Sequence, residues 1–418
     1  MPSRTHRRLW TAGALATASV LTLAGCGSGF SDGGSTDGGD ALTSSDDGLS
    51  ILIGSSGDAE TAAVEDAVAA WSEESGIDAD VSVANDLPQQ LSQGFAAGTP
   101  ADVFYLSTDY LAGYAGNGSL LAYGDQLSNA DDFYPSLVQN FTYEDEFYCA
   151  PKDFSTLSLI INTRLWEEAG LTDDDVPTTW DELADVAGTL STDGRVGLGL
   201  GAEYQRIGVF MAQAGGGLVS EDGTEAIASS PENVEALEYV QQLIGDGSLA
   251  FAPTLGAGWG GEAFGKELAA MTIEGNWITG GLSADYPDID YTVAELPAGP
   301  AGQGTLQFTN CWGIAADSPN QEGALDLVEY LTSTDTQLGF SEAFGPMPSI
   351  ESAAADWTEA NPDLAPFLAG ADYATGMPTA DGSIDVIADL NAQIESLGDA
   401  DVEAVLESVQ SNLEAVVG

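Results

Sequence analysis

LSILIGSSGDAETAAVEDAVAAWSEESGIDADVSV, residues 49–83, decides the fold class. Leu49–Ile53 is a short apolar run ended by the polar turn Gly54-Ser55-Ser56-Gly57, and it reads as a strand. From about Asp58 to Ser75 the apolar residues Val64, Ala67, Val68 and Trp71 share one helical face, and Gly76 supplies a helix end. Asp78–Val83 alternates as a second strand. A helix is expected around Leu87–Ala97 and a third strand over Ala101–Leu106. Strands and helices in this order require right-handed crossovers and a parallel sheet, hence an α/β fold. Ligands on such sheets bind beyond the carboxyl ends of the strands. The turns Ser55–Asp58 and Ser107-Thr108-Asp109-Tyr110 therefore lie on a candidate binding rim.

Upstream of this unit the chain changes character twice. Residues 27–48, GSGFSDGGSTDGGDALTSSDDG, hold too little apolar surface to offset their ordering entropy and read as a flexible linker. Before them, TAGALATASVLTLAGC over Thr11–Cys26 follows a basic head containing Arg4, His6, Arg7 and Arg8. A basic head, a short apolar run and small residues before a cut mark an export signal, too short for a stable membrane span. Leu23-Ala24-Gly25-Cys26 resembles the lipobox of bacterial lipoproteins, which implies cleavage after residue 25 and a lipid on Cys26. The Arg7-Arg8 pair leaves the general and twin-arginine routes both open.

Composition removes whole classes of chemistry. His6 is the only histidine and lies in the segment expected to be cleaved, so the mature chain has no imidazole for a hydrolytic triad or a metal site. With Cys26 lipidated, Cys149 and Cys311 remain, and a pair outside the cytoplasm reads as a disulfide rather than a thiolate site. The triplet Asp173-Asp174-Asp175 lacks the glycine and terminal glutamate of a calcium loop. No metal or cofactor is expected. Lys152, Arg164, Arg195, Arg206 and Lys266 are the five cations left beyond Cys26, against 67 carboxylates, for a mature charge of −62. Nucleic acid and anionic lipid are poor partners for such a surface.

The rhythm continues downstream. Thr178-Thr179-Trp180-Asp181-Glu182 opens a helix with a threonine cap and an acidic first turn. Helices are also expected at Pro231–Ile244, Gln321–Leu331 and Asp401–Val417, with strands at Leu157–Ile161, Ala269–Ile273 and Tyr291–Ala294. Trp71, Trp166 and Trp180 sit at core spacing.

Several pieces then resemble one family in collinear order. They are Gln93 to Val103 (QGFAAGTPADV), Tyr148-Cys149-Ala150-Pro151-Lys152-Asp153, and Asn162-Thr163 followed by Trp166 and Ala169-Gly170-Leu171. Pro177 to Leu183 (PTTWDEL), Ala270-Met271-Thr272-Ile273-Glu274-Gly275-Asn276-Trp277 and Leu296-Pro297-Ala298-Gly299-Pro300 follow. Trp312-Gly313-Ile314-Ala315 and Gly345-Pro346-Met347-Pro348-Ser349 complete the set. Together they resemble the extracellular solute-binding proteins of family 1, the maltose-binding-protein-like sugar-binding lipoproteins of ABC importers, from about Leu49 to the C-terminus.

The resemblance implies a two-lobed periplasmic-binding-protein-like α/β fold with a hinge, each lobe a mixed sheet flanked by helices. It implies a first lobe of residues 49–150 plus 311–345 and a second of 157–306 plus 349–418. Crossings are expected near 149–158, 305–312 and 344–349. That layout sets Cys149 and Cys311 on neighbouring crossing strands, where a disulfide would fix one side of the hinge.

A sugar-binding cleft needs amides and carboxylates for hydroxyls and aromatic rings for apolar faces. Trp259 and Glu262 in a glycine-rich loop, and Glu274, Asn276 and Trp277 after a strand, are candidates. Trp312 either reaches the ligand or packs under the hinge. Asp109 and Asp58 follow strands and either contact ligand or cap helices. Lys152-Asp153 stands out because cations are scarce, and Tyr204 with Arg206 forms a further candidate cluster.

The expected function is capture of a sugar or short oligosaccharide by a monomeric, lipid-anchored receptor that delivers it to a membrane permease, with no catalysis. A secreted glycoside hydrolase, which needs only two facing carboxylates, is the alternative. Binding of a non-sugar solute is another.

Overall fold

The computed structural model describes residues 41–417 except residue 221. The expected signal segment, Cys26 and the linker as far as residue 40 lie outside the described residues. The linker's last residues depart from expectation. Thr43 is bound at the start of the helix Gln321–Leu331, its amide donating to Gln321 Oε1 at 3.0 Å and its hydroxyl to the Ser318 carbonyl at 2.8 Å. Asn320 Nδ2 donates to the Asp47 carbonyl at 3.1 Å. The helix N-terminus supplies unsatisfied donors there, and the polar chain binds them. Order thus begins before Leu49.

Twelve strands follow: β1 Leu49–Ile53, β2 Ala79–Val83, β3 Val103–Ser107, β4 Thr142–Tyr143, β5 Glu146–Phe147, β6 Ala150–Asn162, β7 Val196–Leu200, β8 Leu249–Phe251, β9 Ala269–Gly275, β10 Tyr291–Ala294, β11 Thr305–Ile314 and β12 Ala374–Thr375. β4 and β5 form a small hairpin. The others make one ten-stranded sheet in the order β2-β1-β3-β11-β6-β9-β7-β8, with β10 against β6 and β12 against β11. β1 runs parallel to β2 and β3, as the strand–helix alternation demands. The helix Asp58–Ser75 has the expected bounds and ends at Gly76, whose φ of 75° suits a residue without Cβ.

The strand expected at Leu157–Ile161 is the end of the 13-residue β6. Its first half pairs antiparallel with β11 and its second half with β9 and β10. β6 and β11 are therefore shared by two apolar cores. One core collects Ile51, Trp71, Tyr105, Trp312 and Leu327 beneath β1, β3 and β11. The other collects Leu159, Trp180, Leu198, Phe210, Met271 and Leu406. The fold is two-lobed. Ile350 and Ala353, expected in the second lobe, pack into the first core, because the bridge from Ile350 to Phe133 ties that segment back.

Cys149 and Cys311 form a disulfide with Cα atoms 5.5 Å apart. It lies in a lobe-1 cluster with Phe104, Leu106, Leu111 and Phe141. None of the described helices is long and apolar enough to cross a membrane.

Trp71 couples helices that are far apart in sequence. Its ring is buried and its indole N–H donates to Asp326 Oδ2 at 2.8 Å. Trp71→Ala should lower the unfolding free energy by about 3–5 kcal/mol, measured by denaturant titration, while the cleft chemistry described below is unchanged.

Candidate functional site

A cavity of ≈ 710 Å³ opens at the carboxyl ends of β1 and β3 and continues over β6, β9 and β11. One wall is a polar ledge built by strand register. Ser107 of β3 sits opposite Asn310 of β11, which sits opposite Asp153 of β6, and all three line the cavity. Where β3 gives way to the helix Thr108–Gly116, Asp109 falls in its first turn and also lines the cavity. The Asp109 side chain has no hydrogen bond or ion pair with another described residue, and burial pushes its carboxyl up from its ordinary value. Such a group accepts hydrogen bonds from a ligand without first breaking internal ones.

Beside the ledge stands a charged group of four residues. Lys152 Nζ bonds Asp153 Oδ2 and lies 3.3 Å from Glu60 Oε1. Tyr105 donates its hydroxyl to the same Glu60 oxygen at 3.1 Å, and the Lys152 ammonium sits 4.5 Å from the Tyr105 ring centre. Ser56 donates to Glu60 Oε2 from both its amide and its hydroxyl, each at 2.7 Å. Burial pushes the Glu60 carboxyl up, but Lys152 and the Ser56 bonds outweigh it and hold it below the ordinary value. Burial likewise pulls the Lys152 ammonium down, and Asp153, with Tyr105 and Glu60, overcomes this and holds it up. The lysine is internally paired and offers no free charge to the cavity.

Another part of the lining is aromatic. Trp277 is 39 % exposed, a large value for an indole, and meets Phe308 edge to face with ring centres 5.5 Å apart. Its rear side is anchored. The indole N–H donates to Glu274 Oε2 at 3.1 Å, Arg206 Nη2 donates to that oxygen at 2.7 Å, and the guanidinium lies 5.4 Å from the Trp277 ring centre. Burial raises the Glu274 carboxyl despite the pull of Arg206. A Cβ on Gly275 would collide with the six-membered ring of Trp277, so the indole's present position depends on glycine there.

Of the residues read from the sequence, Asp109, Lys152, Asp153, Asn276 and Trp277 line the cavity together. Asn276 is also tied down, its Nδ2 donating to the Gly345 carbonyl at 3.1 Å. Glu274 and Arg206 stand behind Trp277 and support it. The other five lie off the cavity lining. Trp312 is buried in the first core, edge to face with Tyr105 at 4.7 Å. Tyr204 is buried in the second core. Trp259 folds over Gly261 and packs on a third core, and Glu262 pairs with Lys266 and accepts the Gly258 amide. Asp58 is exposed at the start of its helix, two positions before Glu60, whose side chain turns inward. Glu60, Phe308 and Phe344 are cavity residues that sequence reasoning missed, while Gln205, beside Tyr204 and Arg206, and Asn310, two residues before Trp312, line the cavity in place of those neighbours. The position of Glu60, in the first helical turn after β1, was the available signal.

Residues 66–366 match the family profile described as bacterial extracellular solute-binding protein. The chain belongs to this family. Among curated solute-binding relatives, a binding protein of Brucella abortus strain 2308 is 26% identical over 347 residues, spanning 79% of this chain and 83% of its own. The diacetylchitobiose binding protein DasA of Streptomyces coelicolor is 24% identical over 280 residues, 64% of each chain. The fold is that of the cyclic alpha-maltosyl-1,6-maltose binding protein from Arthrobacter globiformis, with a TM-score of 0.78 at 23% identity over 88% of this chain and 98% of that one.

In this solute-binding protein the lowered Glu60 carboxyl links stability to pH. The folded state gives up that proton at lower pH than the unfolded state, so its contribution is present above the ordinary 4.5 and is lost as pH falls through the folded value. Glu60→Gln should therefore depress Tm at neutral pH, and its gap from the parent protein should narrow on acidification below 4.5, read by melting curves across pH.

Proposed function

We propose that this solute-binding protein is an extracytoplasmic receptor that captures a neutral sugar or short oligosaccharide between its lobes and delivers it to the membrane permease of an ABC importer. The observation that carries this reading is the partly exposed face of Trp277 lining the same cavity as the ledge of Ser107, Asn310 and Asp153. An aromatic plane covers the apolar face of a pyranose and releases water, while amides and carboxylates pair with ring hydroxyls. Asp109, Asp153, Asn276, Asn310 and Trp277 are the proposed ligand contacts. Lys152 and Arg206 are both committed to carboxylates, which disfavours phosphorylated and other anionic ligands. The sugar-binding proteins among the relatives support the same class.

The reading assigns no bond-making step. Glu60 and Asp153 both engage one ammonium, which keeps them from serving as the proton donor and nucleophile of a hydrolase. A lipid on Cys26 would hold the protein at the cell membrane, and we propose that it works there as a monomer, with no nucleic-acid partner.

A thermal-shift screen against mono-, di- and oligosaccharides tests the proposal. A sugar at roughly 100 times its Kd should add about 2.7 kcal/mol of stability and be recovered intact. Shifts only with peptides, polyols or phosphate esters would discard the ligand class, and hydrolysis of any glycoside would discard the receptor. Trp277→Ala should weaken binding of the sugar so found by about 2–4 kcal/mol without unfolding the protein. Gly275→Ala, which displaces the ring while leaving it present, should weaken binding too, both read by calorimetry.

A further inference from the structure

Lys152 and Asp153 are consecutive residues of β6, yet their side chains bond to each other. In a regular strand, successive side chains point to opposite faces and cannot meet in this way. The register explains the exception. Asp153 lies opposite Asn310, but Cys311 lies opposite Pro151, so Lys152 is the extra residue of a β-bulge. Bulges re-aim side chains, and this one turns both members of the ion pair towards the cavity. The Lys152 carbonyl is bonded from outside the ladder, accepting from Gln337 Nε2 at 2.8 Å, and the Pro151 carbonyl accepts from the Ser349 hydroxyl at 2.6 Å.

The disulfide stands at the mouth of this bulge. Cys311 is the residue at which the register changes, and Cys149 lies one residue before β6. Closing the bulge would slide the residues before it by one position, roughly 3.3 Å along the strand. That slide carries Cys149 away from Cys311, from a Cα separation of 5.5 Å towards and beyond the ~7 Å reach of a disulfide. It would also turn Lys152 to the other face of the sheet from Asp153.

We infer that the Cys149–Cys311 disulfide is a positioning element of the cleft, locking the bulge that sets Lys152 beside Asp153 and Glu60. This rests on the cleft being the ligand site, but its test needs no ligand. Lys152 and Lys266 are the only lysines of the chain, 8 % and 41 % exposed, so each reports separately when the protein is acylated and the peptides are weighed.

The mature protein and its Cys149→Ser/Cys311→Ser variant are pulse-labelled with an acetylating reagent, and Lys152 labelling is taken relative to Lys266. The ratio should rise on the order of tenfold in the variant, through local opening of the bulge, while circular dichroism retains a cooperative melt. Trp71→Ala serves as a control of lowered global stability and should leave the ratio near that of the parent. An unchanged ratio in the folded cysteine variant overturns the inference, as does an equal rise in the Trp71 control. Should the serine variant not fold, Cys149→Ala/Cys311→Val refills the apolar site and is labelled in its place. If neither folds, the bond holds the whole domain rather than the bulge, and the inference falls. Where the parent binds a sugar, the folded variant should bind it more weakly; a parent that binds none refutes the proposed function and leaves the labelling result standing.

Discussion

The antiparallel pairing of Ala150–Asn162 with Thr305–Ile314 is the constraint on which the other features depend. These strands are buried nearly throughout, and each continues past the contact into neighbours on either side. Remove their ladder and the sheet separates into two mixed pieces, β2-β1-β3-β11 under one core and β6-β9-β7-β8 under the other. The ledge, the bulge, the disulfide and the rear of the aromatic wall all stand on these two strands or beside them. The cavity is thus built on buried strands paired on both edges, as a pre-organised polar site requires.

Scarcity of positive charge shapes the rest. Eight cations, five of them beyond Cys26, face 67 carboxylates, and in a chain so acidic every cation placed in the interior has acidic neighbours to answer. Lys152 and Arg206 are both drawn to the cavity walls, one holding the ledge and the other bracing an indole through Glu274. Arg164 and Lys266 serve surface pairs, which contribute little individually. The buried pairs act by different means: removing one partner leaves a charge stranded in a poor solvent. Positive charge here is a structural resource rather than a recognition element.

Much of this was legible in the chain, and the failures have physical causes. The parallel unit reads cleanly because strand, turn and helix each carry their own periodicity between Leu49 and Leu106. β6 reads only in part, since Pro151, Lys152 and Asp153 look like a loop until a bulge and a ladder partner 150 residues away accommodate them. Asp109, Asn276 and Trp277 were findable because each follows a strand, and Lys152-Asp153 because cations are scarce in this chain. Glu60 was missed because, among so many acids, only its place in the first helical turn after β1 sets it apart. Trp259 misled for an instructive reason. Glycines beside a tryptophan suggested an empty, exposed ring, whereas Gly261 and Gly275 are where the rings of Trp259 and Trp277 themselves lie. Exposure of an indole follows from the direction in which it folds, which local composition does not encode.

The 162-residue separation of the crosslinked cysteines bears on how the protein is made. A chain exported unfolded by the general route, N-terminus first, would present Cys149 outside the cell well before Cys311 emerges. During that interval β3 lacks the strand that belongs at its edge, and β6 lacks one of its neighbours. Both edges are open templates for another chain. Oxidation at the end of translocation closes a very long loop, which removes on the order of 5 kcal/mol of disorder from the unfolded ensemble. If Cys26 carries the proposed lipid, Cys149 and Cys311 are the two thiols left, and they have one pairing within the molecule. The hazard of biogenesis is therefore one of timing: the second half of the chain must arrive before a neighbouring molecule does.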